Sequence, residues 1–73
     1  MKNTMTGERM KEIRARLCLT RPALGKALGY SGKTTSLEIQ IMRFEHEHRD
    51  IPIQVARLMV LYDAYGVPER FLR

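Results

Sequence analysis

A single cysteine, Cys18, stands in the 73 residues, so no disulfide can form within the chain. A chain of this length buries only roughly 60% of the surface its unfolded form exposes. Disulfides or a metal often supply the missing stability; the lone thiol rules out the first and points to a reducing compartment. No apolar run approaches the ~18 residues of a membrane span, and the start of the chain lacks the apolar core of a signal peptide. A cytoplasmic protein is expected, with no membrane partner. Internal repeats, low-complexity tracts and linkers are also missing, so residues 1–73 are expected to form one domain. Catalytic patterns are absent too: no Ser-His-Asp order, no paired carboxylates and no phosphate loop. The Gly32-Lys33 pair lacks both the upstream glycine and the preceding strand of such a loop. His46, His48 and Asp50 lack the His-Glu-x-x-His spacing and a fourth ligand, so they read as dipole partners at a helix end, with no metal. Neither an enzyme, a cofactor nor a small-molecule ligand is expected.

Acidic residues are the last thing in short supply. Eight Asp and Glu face 13 Lys and Arg, giving a net charge of +5 and a pI near 9.9. That balance favours a polyanion as partner, through general attraction before any recognition.

What is present is helical throughout, and residues 20–49 are its centre. Leu37, Ile41 and Phe44 recur at i, i+4 and i+7, one side of a helix. Ser36, Ile39, Gln40 and Arg43 fall on the other. A polar, partly basic outer face on a helix braced by a shorter one is how a protein offers a helix to a DNA groove.

Along the chain, residues 1–5 form a patternless arm, with Lys2 in reach of a phosphate. Thr6 is an N-cap, Glu8 lies in the first turn, and Met10, Ile13 and Leu17 recur at helical spacing, so helix one should end near Leu17. Thr20 caps helix two and Pro22 sits in its first turn; Leu19 and Leu24 form a hydrophobic staple. Leu24, Ala27 and Leu28 make its buried stripe. Gly25 costs about 0.8–1 kcal/mol against alanine in mid-helix, which close approach of the next helix would offset. Gly29 supplies a positive φ that ends the helix.

Two starts compete for helix three. Ser31 could cap a long helix, with Gly32 in its first turn. Thr35-Ser36-Leu37-Glu38 is a capping box, in which Glu38 reaches back to the Thr35 N–H. The second is preferred, placing helix three at about residues 36–46. Pro52 opens helix four, whose apolar face (Val55, Ala56, Leu58, Met59, Leu61, Tyr62) is wide enough for a core and something more; Gly66 ends it. Residues 67–72 give a last helical turn or two. The expected fold is all-α with five helices.

The run from Thr20 through Pro22, Leu24, Gly25 and Ala27 to Gly29 resembles the first half of the helix-turn-helix of Cro and lambda-type (XRE-type) repressors. Phe44-Glu45 followed by Arg49-Asp50-Ile51-Pro52 resembles that family's close of the recognition helix and approach to helix four. The likeness runs from Thr6 to Leu72. It implies a five-helix DNA-binding domain with its helix-turn-helix at about residues 20–46, associated with the nucleoid. It also implies that Arg21 holds a phosphate, that Arg49 touches the backbone or minor groove, and that Arg14 and Glu45 form a partly buried ion pair. Three departures stand out: about six extra residues between Gly29 and Glu45, and Glu47 and Cys18 where the family usually has glycine. Ser31-Gly32-Lys33 resembles a subset of small bacterial and phage regulators, among them autoregulators of anti-defence (anti-CRISPR-associated) operons.

The expected DNA contacts are therefore Arg21, Lys33, Thr34, Thr35, Ser36, Ile39, Gln40, Arg43 and Arg49. Gln pairs bidentately with adenine and Arg with guanine, while Ile39 suits a thymine methyl. A polar stripe on a structural helix is by default only a solvated face, and the basic balance and the preceding helix tip the reading toward DNA. The expected function is a sequence-specific double-stranded DNA-binding regulator, a repressor of its own operon, acting as a homodimer on an inverted repeat. Tyr62, Tyr65, Val67 and Phe71 are the expected dimer contact. Two other readings stay open: an antitoxin whose helix four or C-terminal face covers a toxin, and an excisionase-like architectural factor.

Overall fold

A computed structural model describes residues 5–73, so the expectation for Lys2 lies outside the described residues. Four α-helices follow one another: α1 (Gly7–Arg16), α2 (Arg21–Ala27), α3 (Thr34–Glu45) and α4 (Ile53–Tyr65). The expected fifth helix is instead a 3-10 turn, η1 (Glu69–Leu72). Its bond from the Phe71 N–H to the Pro68 carbonyl spans three residues, which winds so short a run tighter than an α-helix.

Local chemistry sets most of the boundaries. The Thr6 hydroxyl accepts from the Arg9 N–H and the Thr20 hydroxyl from the Ala23 N–H, capping α1 and α2. The ends of α1, α2 and α3 repeat one device. In each, the residue after the C-cap has a positive φ, and two N–H groups fold back on the last-turn carbonyls. At α2 that residue is Gly29. At α1 and α3 it is Cys18 and Glu47, with φ of 59° and 63°. The two non-glycine departures therefore sit where the backbone is left-handed.

The core is a single cluster. Met10 and Ile13 of α1, Leu24 of α2, Ile41 and Phe44 of α3, and Met59 of α4 lose nearly all contact with solvent. Leu37 closes over Gly25, where an added Cβ would stand 3.2 Å from Leu37 Cδ2; that closeness is what lets α2 and α3 meet. Tyr30 packs its ring on Phe44, 6.1 Å between centroids, tying the α2–α3 connection to the back of α3. One expectation for α4 is corrected. Tyr62 is not at a free surface: it is buried, and its hydroxyl donates to the Ala27 carbonyl. Burial pushes its phenol pKa up. Leu61, one of the residues of a face read as wide enough for a core and something more, lies outside the core and points outward. Arg16 grips Asp63 with Nε and Nη2, joining α1 to α4. This hydrogen bond holds the Asp63 carboxyl below its ordinary pKa. Among the described residues, no helix is long and apolar enough to cross a membrane.

Candidate nucleic-acid interface

The start of α3 corrects the preferred capping box. The helix begins at Thr34, with Lys33 in extended conformation as N-cap (φ −72°, ψ 158°), so neither Thr35 nor Ser31 is the cap. Glu38 does not turn back to the Thr35 N–H, because Arg21 Nη1 donates to its Oε2 at 2.8 Å. Lysine offers no acceptor, and the first turn of α3 has no side-chain cap. Its N–H groups therefore stand open at the positive end of the helix dipole. Thr34, expected in the turn, and Thr35, expected as the cap, both belong to this first helical turn.

Burial sorts the faces of α3. Leu37, Ile41, Phe44 and Glu45 face the core. Lys33, Thr34, Thr35, Ser36, Ile39 and Arg43 are exposed, and Gln40 is half-buried on the flank. Arg49 is exposed beyond the helix end. Lys33, Arg43 and Arg49 enter none of the ion pairs found among the described residues.

Arg21 differs. Besides Glu38, it binds Glu45 Oε1 through Nε at 3.1 Å, and it is mostly buried. These bonds, that to Glu38 first, raise its pKa further. With Nε and Nη1 both engaged by carboxylates, Arg21 is not the free phosphate contact that was expected. Arg14 reaches Glu45 from the other side, Nε to Oε2 at 2.6 Å and Nη2 to Oε1 at 3.3 Å, while its Nη1 donates to the Leu19 carbonyl. The Glu45 side chain has no solvent exposure. Two arginines, from α1 and α2, thus clamp one buried carboxylate at the end of α3 and fix the angle at which that helix is presented.

Sequence reasoning missed a further support. The Gly7 N–H, first in α1, donates to Glu47 Oε2 at 2.6 Å. The start of α1 thereby abuts the end of α3. A negative side chain at a helix N-terminus is favourable, and it offsets the left-handed backbone at Glu47. On α4, Ile53 (47%), Val60 (58%), Leu61 (52%) and Tyr65 (85%) are exposed. Val67 is half-buried against the core and Phe71 is partly exposed beside α2. His46 and His48 lie 6.0 Å apart, ring to ring. Among the described residues, no three His, Cys, Asp or Glu side chains gather as a metal site would need.

Compared with protein-family models, with curated proteins and with solved structures, the chain finds no match.

Proposed function

We propose that this chain is a sequence-specific double-stranded DNA-binding regulator that places α3 in the major groove and represses its own operon. The observation that carries the reading is the contrast between the two faces of α3. The inner face and its far end are fixed by the core and by the double arginine clamp. The outer face and the uncapped first turn are exposed, with Lys33, Arg43 and Arg49 in none of the ion pairs among the described residues. An open helix N-terminus with a cation beside it is a ready phosphate site. The resemblance to Cro and lambda-type repressors is a second support.

Affinity for a duplex is expected to fall steeply with salt, as phosphate counterions return. Thr35, Ser36, Ile39 and Arg43 are the base readers, and Gln40 reaches a base only from the flank. Lys33, at the cap, binds phosphate. Arg43→Ala should relax preference at one or two base pairs by about 1–3 kcal/mol. Lys33→Ala should weaken all sequences alike and lower the salt slope by about one unit. Binding of both variants to a set of single-base operator changes, at several salt concentrations, is the test. No binding by the unaltered protein at low salt would overturn the function; the reverse pattern for the two variants would overturn the assignment of base readers.

The dimer contact moves to the outer face of α4. Ile53, Arg57, Val60, Leu61 and Tyr65 recur along one side of that helix, all exposed. A twofold axis crossing α4 between Arg57 and Leu61 sets Ile53 of one copy against Tyr65 of the other. It also sets Arg57 against Leu61, so the two arginines do not meet. Such a self-complementary patch builds a closed dimer with two α3 helices presented to half-sites about 34 Å apart. Sedimentation at micromolar protein should show a dimer that Leu61→Glu converts to a monomer. Phe71→Glu should leave it dimeric. An unaltered monomer that binds one half-site as tightly as an inverted repeat would sink this part of the reading.

A further inference from the structure

The C-terminal turn carries cations that neither α3 nor the dimer face uses. Arg70 and Phe71 of η1 line a groove with Lys26 of α2. Lys26 also lines the adjoining groove, whose other wall holds Thr34 of α3 and Leu72. No Asp or Glu lines either groove. Lys26 and Arg70 are exposed and enter none of the ion pairs among the described residues. Arg73 pairs only with Glu69 of its own turn, at 3.2 Å and in full view of solvent, where such a pair is weak.

A carboxylate-free, cationic path therefore leads from the first turn of α3, across Lys26, to Arg70. It is continuous with the face assigned to DNA, and its rim is charged while its wall, Leu28, Leu58 and Phe71, is apolar. A DNA strand has this composition in complement: phosphates at regular spacing on an apolar-edged sugar chain. We infer that η1 and the end of α2 form a second phosphate clamp, in which Lys26 and Arg70 hold the backbone flanking the groove that α3 enters. The inference rests on the DNA-binding reading. It adds affinity and register but no base preference, since phosphate contacts position and do not specify.

Lys26→Gln, Arg70→Gln and the double variant would be titrated with an operator duplex and an unrelated duplex at several salt concentrations. Lys11→Gln, which removes the same charge from the exposed side of α1, is the control. The expected result is a loss of about 0.9 in salt slope for each cation removed per bound protomer. The loss should be equal on both duplexes and absent for Lys11→Gln. Shortening the duplex from its ends should reach a length at which the unaltered protein loses affinity and the double variant does not. Variants that keep the full slope while the unaltered protein binds steeply would overturn the clamp and leave the DNA reading intact. An equal loss from Lys11→Gln would overturn it as well, since net charge alone would then be the cause. Binding of a polyglutamate peptide that the Arg70→Gln variant loses and duplex does not displace would assign the groove to an acidic protein segment instead. No salt-dependent binding by the unaltered protein would remove both readings together.

Discussion

Glu45→Gln should cost the fold about 3–5 kcal/mol, the usual price of leaving a buried charge without its partner. The Glu45 carboxylate has no solvent exposure and receives three guanidinium bonds, two from Arg14 and one from Arg21. The amide keeps the shape but removes the charge, and its N–H2 end would face a guanidinium, donor against donor. Both arginines are themselves mostly buried, so neither can turn fully to water. A domain of 73 residues has a total stability of about 4–11 kcal/mol at 0.05–0.15 per residue. The substitution therefore removes much of the margin. Urea titration of Glu45→Gln, Arg14→Met and the double variant measures it. The double change should be less costly than the sum of the singles, because Arg21 keeps Glu38 as a partner once Arg14 is gone. Losses below about 1 kcal/mol for both single variants would mean that the pair behaves as an exposed one. Heat or denaturant should also loosen the end of α3 in the variant, since the clamp is one of the links that join that end to α1 and α2.

What could be read in the sequence is what depends on near neighbours. Thr6 and Thr20 cap helices because their hydroxyls reach an N–H three residues on, and the sequence holds both partners. Gly25 could be read as a close approach because a helix-weakening residue needs a compensating contact, which Leu37 makes. The start of α3 could not be read the same way. Ser31 and Thr35 are the candidate caps, yet the helix starts behind Lys33, and the Glu38 carboxylate that the Thr35 capping box needs is taken by Arg21 from 17 residues away. The same bond engages Arg21, so one distant contact accounts for both the helix start and the pairing of Arg21. On α4 the apolar residues encircle the helix too widely for periodicity to divide them. Tyr62 turns inward because the Ala27 carbonyl receives its hydroxyl across 35 residues, and Leu61, the next residue back, is thereby turned out. The α3 face was legible as a surface because its inner stripe was strongly apolar. Which of its polar residues stand most outward depended on the helix start.

Gly7→Ala should be the second severe change, for a reason that local pattern conceals. Gly7 follows a capping threonine, where alanine would ordinarily improve a helix by about 1 kcal/mol. Here the glycine touches the far end of α3. An added Cβ would stand 2.7 Å from the Glu45 carbonyl carbon, and nearer still to the carbonyl oxygens of Phe44 and Glu45. These are backbone atoms, so no side chain can swing aside; α1 must slide or the end of α3 must move. Sliding α1 breaks the Gly7 N–H bond to Glu47 and displaces Arg14 from Glu45, so clash and clamp are lost together. A cost of about 3 kcal/mol or more is expected, the upper end for overpacking. Gly25→Ala is the matched comparison. Its Cβ would meet side chains alone, Leu37 at 3.2 and 3.3 Å and Ile41 at an ordinary 3.7 Å, and a shift of a few tenths of an ångström relieves the closer contact. The helix-propensity gain of about 1 kcal/mol offsets it, and Gly25→Ala should lie within about 1 kcal/mol of the unaltered protein. Denaturant midpoints of the two variants, measured side by side, decide the matter. A Gly7→Ala protein no less stable than Gly25→Ala would mean that α1 and α3 are not held in backbone contact, and that the support assigned to the end of α3 lies elsewhere.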